Sequence, residues 1–176
     1  MNIIELVKHI LTDYPKITEF TNEINVDFTD DTPTNFGLSS TGDQKISEDI
    51  LGNQVRQHNF VLYALNQSYT NYDRLANSTF LLDLAYWLEQ YKQEDPIEVT
   101  INNKTVTGKL TKLSSANGML YGYQNETLSG PVTYQIQIQA QYRIESEGFK
   151  MPKIQRKYMA HYIDASLTQT PSYVRL

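Results

Sequence analysis

The residues of this chain best suited to chemistry are three histidines and a short run of aspartates. The histidines show no ligand motif of a zinc site. The second histidine lies in a predicted strand, where we expect a structural role and not a catalytic one. The aspartates offer oxygen ligands for a hard cation, but they lack the further ligands that a calcium loop places at fixed spacing. We therefore expect neither a metal nor a cofactor at these residues: His9, His58 and His161, and Asp27, Asp30 and Asp31.

Motifs of common enzyme sites are missing from the sequence. It contains no glycine-rich phosphate loop and no Gly-x-Ser-x-Gly elbow. It has no cysteine, which excludes disulfides and cysteine–zinc sites. A pair of carboxylates for glycoside hydrolysis stays open, because such residues are paired in space and not in sequence. We interpret the missing motifs as evidence against an enzyme.

The most regular pattern is the alternation from Thr133 to Glu145. Apolar residues hold every second position from Tyr134 to Ile144, and polar residues fill the gaps. A period of two predicts a long strand with two different faces. The polar face is mostly neutral amide, whereas a solvated strand more often carries charge. This face is either a solvated sheet face or a surface that meets another subunit or lines a ring. Its candidate interface residues are Gln135, Gln137, Gln139, Gln141 and Arg143.

Length and composition favour one domain. A chain of 176 residues is long enough to bury a core. The N-terminus lacks the pattern of a signal peptide, and no apolar run approaches the roughly 20 residues of a membrane helix. We therefore expect a soluble protein of the cytoplasm. The net charge of −5 gives no sign of a nucleic-acid footprint. The 13 tyrosines suit interfaces, because each offers a large area with one polar end.

The last part of the chain, residues 149–176, is a basic arm. Five basic residues and one acidic residue give it a net charge of +4, which leaves −9 on residues 1–148. Opposite charges on two parts of one chain favour contact between neighbouring copies. A solvated terminus is the alternative. The candidate contact residues of the arm are Lys150, Lys153, Arg156, Lys157 and Tyr158.

Shorter patterns predict the elements that must position these residues. Asn2 and Glu5 form a capping box before a helical stripe that stops near Pro15. A second helix is predicted to begin at a cap, Asn77 or Ser78, after a separate helical turn. Strands are predicted over 17–28, 35–40 and 54–65, followed after the second helix by a hairpin over 97–113, a polar loop over 114–130 and the long strand from 131.

This order indicates an α+β fold. We expect a mainly antiparallel or mixed β-sheet with two helices packed on one face, an inserted β-hairpin and a C-terminal arm. The domain spans 1–148, with the hairpin and loop inserted at 94–130, and the arm spans 149–176.

Five stretches resemble a family of small proteins in the head–tail module of phages of Gram-positive bacteria, which are described as minor capsid proteins or tail terminators. They cover most of residues 1–93 and 131–145 in a shared order. The most specific piece is the pair Arg56-Gln57 running into FVLYA. The chain departs from the family pattern in 94–130 and 149–176. The matching stretches are IIELVKHIL, INVDFTDDTPTNFGL, GNQVRQHNFVLYALNQSY, ANSTFLLDLAYWLEQY and YQIQIQAQYRIE.

The resemblance implies a compact domain that assembles into a six-subunit ring. Such a ring caps the tail tube at full length, stops its polymerisation and offers a surface to the head–tail connector or a head-completion protein. DNA passes through the lumen without specific binding. The implied location is the neck of the virion, after assembly in the host cytoplasm, with no membrane contact, no cofactor and no catalysis.

Three alternatives stay open. A head-completion protein or a tube-like subunit also forms rings, but a tube extends whereas a terminator stops at one ring. A small cytosolic enzyme would bury ionisable groups with shifted pKa values in a pocket. A peptide-binding adaptor would use an exposed edge of the sheet.

Overall fold

The computed structural model describes residues 1–17, 24–27, 35–92, 96–101, 103–123 and 130–145. The chain divides into two units, Met1–Ser146 and Glu147–Leu176, and every described residue belongs to the first. The basic arm with its five candidate contact residues lies outside the described residues, as do Asp30, Asp31 and His161.

The described residues form two helices and six strands. In chain order they are α1 Ile3–Thr12, β1 Ile24–Val26, β2 Asn35–Glu48, β3 Gln54–Ser68, α2 Asn71–Gln90, β4 Pro96–Ile101, β5 Lys104–Tyr123 and β6 Gly130–Ile144. This content confirms the predicted α+β class. Neither helix is both long and apolar enough to cross a membrane.

All six strands belong to one curled sheet with the order β1-β2-β3-β6-β5-β4. β1 runs parallel to β2, and every other neighbouring pair is antiparallel, so the sheet is mixed. The long strand β6 lies in the middle and pairs along its length with β3 and with β5. Bulges interrupt the pairing of β2 with β3 and of β5 with β6, and such bulges increase the local twist of a sheet.

Helix α1 begins as the sequence predicts. The side chain of Asn2 accepts hydrogen bonds from the backbone of Ile4 and Glu5, both at 2.9 Å, and the Glu5 carboxylate accepts from the Asn2 backbone at 2.9 Å. This reciprocal box satisfies donors that have no partner inside the helix. The helix buries five apolar side chains: Ile3, Leu6, Val7, Ile10 and Leu11.

Helix α2 begins earlier than predicted, because its cap is Thr70. Asp73 closes a capping box with it, and the helix runs without a break from Asn71 to Gln90. Asn77, one of the two predicted caps, is buried inside the helix. Its side-chain oxygen accepts a hydrogen bond from the Asn66 side chain of β3 at 3.2 Å. A buried amide with a polar partner therefore produced a false cap signal.

Strand β5 replaces part of the predicted loop. We predicted a polar loop from residue 114, but the strand continues to Tyr123 and pairs with β6 throughout. The residues that suggested a loop sit at irregularities: Asn117 has a φ of +54°, and register shifts fall between Ala116 and Met119 and between Leu120 and Gly122. Bulges place turn-type residues inside a strand, where they imitate a loop in the sequence.

One hydrophobic cluster joins the helices to the sheet. It contains the buried side chains of α1 and α2 together with alternate residues of the long strands. The Phe36 ring of β2 lies 5.7 Å from the Phe80 ring of α2, and the Tyr14 ring lies 5.2 Å from that of Trp87. β6 contributes every second residue to the cluster: Val132, Tyr134, Ile136, Ile138, Ala140, Tyr142 and Ile144.

Candidate interaction face of the sheet

The glutamines of β6 lie on the face of the sheet opposite its buried residues, as the alternation predicts. Gln135, Gln137, Gln139 and Gln141 are each partly buried, while the residues between them are fully buried. Their neighbours on β3 and β5 share this face, because paired residues in adjacent strands point the same way. We call this surface the glutamine face. It has two halves of different chemistry.

One half consists of side-chain amides, and we call it the amide patch: Gln44, Gln57, Asn59, Gln139 and Gln141. The Gln141 side chain donates to the Gln57 oxygen at 3.0 Å, and Gln57 donates to the Asn59 oxygen at 2.9 Å. A shallow depression of about 430 Å³ lies over this patch. Amides carry no charge, so the patch offers donors and acceptors to a polar surface, and Lys112, which pairs with Gln141, adds a positive charge at its edge.

The other half is apolar and aromatic, and we call it the tyrosine patch: Val61, Tyr63, Ala116, Met119 and Tyr121. Gln135 stands between Tyr63 on one side and Met119 on the other, and Gln137 stands between Val61 and Ala116. The Tyr63 and Tyr121 rings meet edge to face with centroids 5.4 Å apart. Met119 and Tyr121 are exposed within the chain. Exposed apolar groups that cluster in this way mark interaction surfaces.

Arg143, the fifth candidate on β6, sits at the end of the glutamine face and is half-exposed. Its Nη2 lies 3.8 Å from Oδ2 of Asp49 in the turn between β2 and β3. The pKa of Asp49 is lowered chiefly by the hydrogen bond from the Asn53 side chain, and the charge of Arg143 adds to this. The ion pair is open to solvent and screened, so it leaves Arg143 available to a partner.

A second group of polar residues, absent from our sequence predictions apart from His58, lies on the opposite face of the sheet. We call it the polar cluster: Ser40, Asp43, Arg56, His58 and Tyr142. Asp43 is its centre. One carboxylate oxygen accepts from the Tyr142 hydroxyl at 2.7 Å, and the other accepts from Nε of Arg56 at 2.8 Å. The bulge in β2 after Ser40 sets this register, because it turns Asp43 towards β3.

Ser40, His58 and Asp43 have the residue types of a Ser-His-Asp catalytic triad. Their geometry favours a structural role. Ser40 Oγ lies 2.7 Å from His58 Nε2. The other ring nitrogen, Nδ1, is 3.7 Å from the Asp43 carboxylate, too far for a hydrogen bond. Both carboxylate oxygens are already bound by other groups. The carboxylate therefore does not orient the imidazole, which a triad of this kind requires.

The electrostatics of the polar cluster match that structural role. The hydrogen bond to Asp43 raises the pKa of the Arg56 guanidinium, which therefore keeps its positive charge. Burial, followed by the hydrogen bond to Asp43, raises the pKa of the Tyr142 hydroxyl to about 12. Burial lowers the pKa of His58, against a smaller opposing effect of Asp43. The His58 ring also stacks on Phe60 at 4.5 Å.

We expect His58 to make the chain less stable at about pH 5.5 than at about pH 7.5, two values on either side of its ordinary pKa. Its folded-state pKa lies below its ordinary value of 6.5, so the unfolded chain takes up a proton first as the pH falls. The contribution is complete above pH 6.5 and is lost as the pH falls through the folded-state pKa. The midpoint of urea unfolding should therefore be lower at about pH 5.5 than at about pH 7.5.

The matched variants are His58→Gln and His9→Gln. His9 is exposed on α1, so its replacement should leave the pH dependence intact, whereas His58→Gln should flatten it. An equally steep dependence in His58→Gln would contradict this assignment.

No group of three metal-ligating side chains occurs among the described residues. One spacing escaped the sequence analysis: His9 and Asp13 are one helical turn apart, with Nε2 3.8 Å from Oδ2. Two exposed groups on one helix do not make a metal site, because structural sites take about four ligands. Asp27, the described member of the predicted aspartate run, has a φ of +63°, which is typical of a turn.

A scan against models of known protein families finds no match for this chain, and a search of curated proteins finds none either. Its function is therefore argued from the glutamine face and from the resemblance of its sequence.

Proposed function

We propose that this chain is a structural protein of a phage virion: a tail terminator whose copies form a ring that caps the tail tube, stops its polymerisation and joins it to the head connector. In this proposal both helices pack on one face of the sheet, and the hairpin of β4 and β5 is an insertion that contacts a neighbour or the tube. The glutamine face is then left for assembly. The resemblance of five stretches to the tail-terminator family supports this reading.

The observation that carries the proposal is the composition of the glutamine face. Its side chains remain partly accessible within the chain, and it joins a neutral amide patch to an exposed tyrosine patch. A face that only met water would gain nothing from exposed Met119 and Tyr121, whose apolar surface favours burial against a partner. Tyrosine is also enriched in interfaces.

The amide patch suits the lumen of such a ring. DNA moving through the lumen needs a lining that does not hold phosphate, and neutral amides meet this need better than basic residues. The remaining contacts would come from the basic arm, in which Lys150, Lys153, Arg156, Lys157 and Tyr158 reach an acidic neighbour. A headless tail-like particle would use the same ring without DNA.

A charge placed in the lining should slow DNA. We expect Gln139→Lys, within the amide patch, to reduce DNA ejection several-fold, because a ring would carry one added lysine per subunit facing the phosphates. The measurement is DNA release from assembled particles. Gln90→Lys is the control, since Gln90 is exposed at the end of α2 on the other side of the sheet. Normal ejection by the Gln139→Lys particles would contradict the placement of the amide patch in the lumen.

The function itself is tested by the mass of the purified protein, alone and mixed with tail tubes, using light scattering and negative-stain imaging. A single ring, or a monomer that becomes a cap at one tube end, supports a terminator. Extension into long tubes would favour a tube-like subunit, and binding to the connector alone would favour a head-completion protein. A monomer that ignores both would reject the proposal and return attention to an enzyme.

A further inference from the structure

Helix α2 carries a second exposed apolar surface, on the side turned away from the core. We call it the outer stripe. Its members are spaced by three and four residues, the spacing of a seam that packs against another element. Its four large side chains are each more than half exposed, which is unusual for apolar groups in one row. The stripe consists of Tyr72, Leu75, Thr79, Leu82 and Tyr86.

The outer stripe and the tyrosine patch lie on opposite sides of the same region. The inner side of α2 packs on β5 and β6: a Cβ placed on Gly118 would lie 3.5 Å from the Leu81 Cβ and 3.8 Å from the Ile136 side chain. Ala116 and Met119 flank Gly118 and pair with glutamines on the other face. Two different apolar surfaces on opposite sides of one chain favour head-to-tail association, in which one patch meets a different patch on the next copy.

Charge presents no obstacle to this contact. The residues beside the outer stripe include small neutral ones, Ala76, Ser78 and Ala85, which allow close approach. The acidic neighbour Asp83 forms an ion pair with Lys16. All five members of the tyrosine patch are uncharged. Neither the outer stripe nor the tyrosine patch therefore brings a charged side chain of its own into the contact, where an unpaired charge would be strongly unfavourable.

A recess along the outer stripe gives the contact an anchor point. It has a volume of about 380 Å³ and is lined by Lys16, Tyr72, Leu75, Ala76, Thr79, Phe80 and Asp83. Aromatic side chains that fill pockets contribute most of the affinity of many interfaces. Tyr121 is 62% exposed at the outer end of the tyrosine patch and is the group best placed to enter such a recess.

We infer that the outer stripe of α2 in one copy packs on the tyrosine patch of the next copy. The occupant of both surfaces is thus a second copy of this chain. A helix of 20 residues is about 30 Å long, enough to cross the several strands of the patch. This inference rests on the proposed function, because it assumes that copies associate, and it deepens that function by naming the two surfaces. It also separates the glutamine face into an amide patch for the lumen and a tyrosine patch for the neighbour.

Cysteine cross-linking tests the contact directly, because the chain has no cysteine of its own. Thr79→Cys marks the centre of the outer stripe, and Ala116→Cys marks the tyrosine patch. The two variants are purified separately, mixed with and without tail tubes, and oxidised mildly. We expect a disulfide-linked dimer in the mixture and none in either variant alone. Thr12→Cys, exposed at the end of α1 and outside both surfaces, replaces Ala116→Cys in the control mixture and should give no dimer.

The outcomes separate this inference from the proposed function. A dimer of Thr79→Cys alone would overturn the inference in favour of a two-fold contact between helices. Rings or caps without any disulfide in the mixture would overturn the contact and leave the terminator function standing. A disulfide in the mixture without rings or caps would support the contact and reject the terminator. No association under any condition would reject both.

A charge in the outer stripe provides a second measurement. Leu82→Glu should shift the assembled protein to the mass of a monomer, because docking would bury an unpaired carboxylate. Its urea midpoint at low protein concentration should match the wild type, since Leu82 is exposed in the single chain. Thr12→Glu, on the exposed end of α1, is the matched control and should assemble normally. Normal assembly of a folded Leu82→Glu would overturn the inference.

Discussion

Leu84→Ala is expected to lower the free energy of unfolding by about 3 kcal/mol. Leu84 is 0% exposed on the inner side of α2, in the cluster that joins this helix to the sheet. Its truncation removes apolar burial and leaves a cavity, and the surrounding strands close such a space only in part. Urea denaturation should show a lower midpoint with an unchanged slope, the sign of lost stability without a change in the surface exposed.

The matched control is Leu82→Ala, two residues away on the same helix. Leu82 is 51% exposed, so its truncation should change stability by less than about 0.5 kcal/mol. The comparison must be made at a protein concentration at which the chain is monomeric, because any association of copies would raise the measured free energy of unfolding. Equal losses for the two variants would mean that the outer stripe is buried in the single chain.

Asp43→Asn is expected to destabilise the chain by about 2 kcal/mol. The carboxylate accepts from Arg56 and Tyr142, and the Asp43 and Arg56 side chains are each only 23% exposed. An amide in its place leaves the guanidinium poorly solvated and without a counter-charge. Removing one partner of a largely buried ion pair destabilises a protein more than removing both partners. The double variant Asp43→Asn/Arg56→Gln should therefore be more stable than Asp43→Asn alone.

Asp83→Asn is the control for this prediction. It removes the same charge from the ion pair of Lys16 and Asp83, whose side chains are more than a third exposed. Exposed pairs contribute little, so the loss should stay below about 1 kcal/mol. Both variants are compared by urea midpoints at neutral pH. A loss at Asp43 no larger than at Asp83 would show that the polar cluster does not hold β2, β3 and β6 together.

The parts of the fold that the sequence predicts correctly depend on local signals. The capping box of Asn2 and Glu5 involves residues three apart, and the two faces of β6 follow from a period of two. β5 escaped prediction because its bulges hold turn-type residues, among them Asn117 with positive φ. The start of α2 was wrong because Asn77 satisfies a buried partner and does not cap the helix.

The glutamine face could be predicted from the sequence and the polar cluster could not, again because only local signals are evident in a sequence. The glutamine face follows from one strand, so four of its members are evident in the sequence. The polar cluster joins Asp43 to Tyr142, which lie 99 residues apart and on different sides of β3. Its assembly depends on the bulge after Ser40, where Gly42 has a φ of +135°. A glycine at such a point is also typical of a loop, and we expected a loop over Ser40–Asp43 and not a bulge inside a strand. The tyrosine patch depends in turn on the register of β5.

The outer edge of the bulged strand β2 is protected against pairing with strands of other molecules. Beyond Leu38, the partner of Val26 in β1, β2 pairs only with β3 among the described residues, so its outer backbone groups form an open edge. Such an edge invites strands of other molecules and leads to aggregation. Two bulges bend this edge, and Lys45 and Glu48 place charges along it. These are the devices by which soluble sheets discourage indiscriminate strand addition. In the proposed ring, they would leave the association of copies to side-chain surfaces.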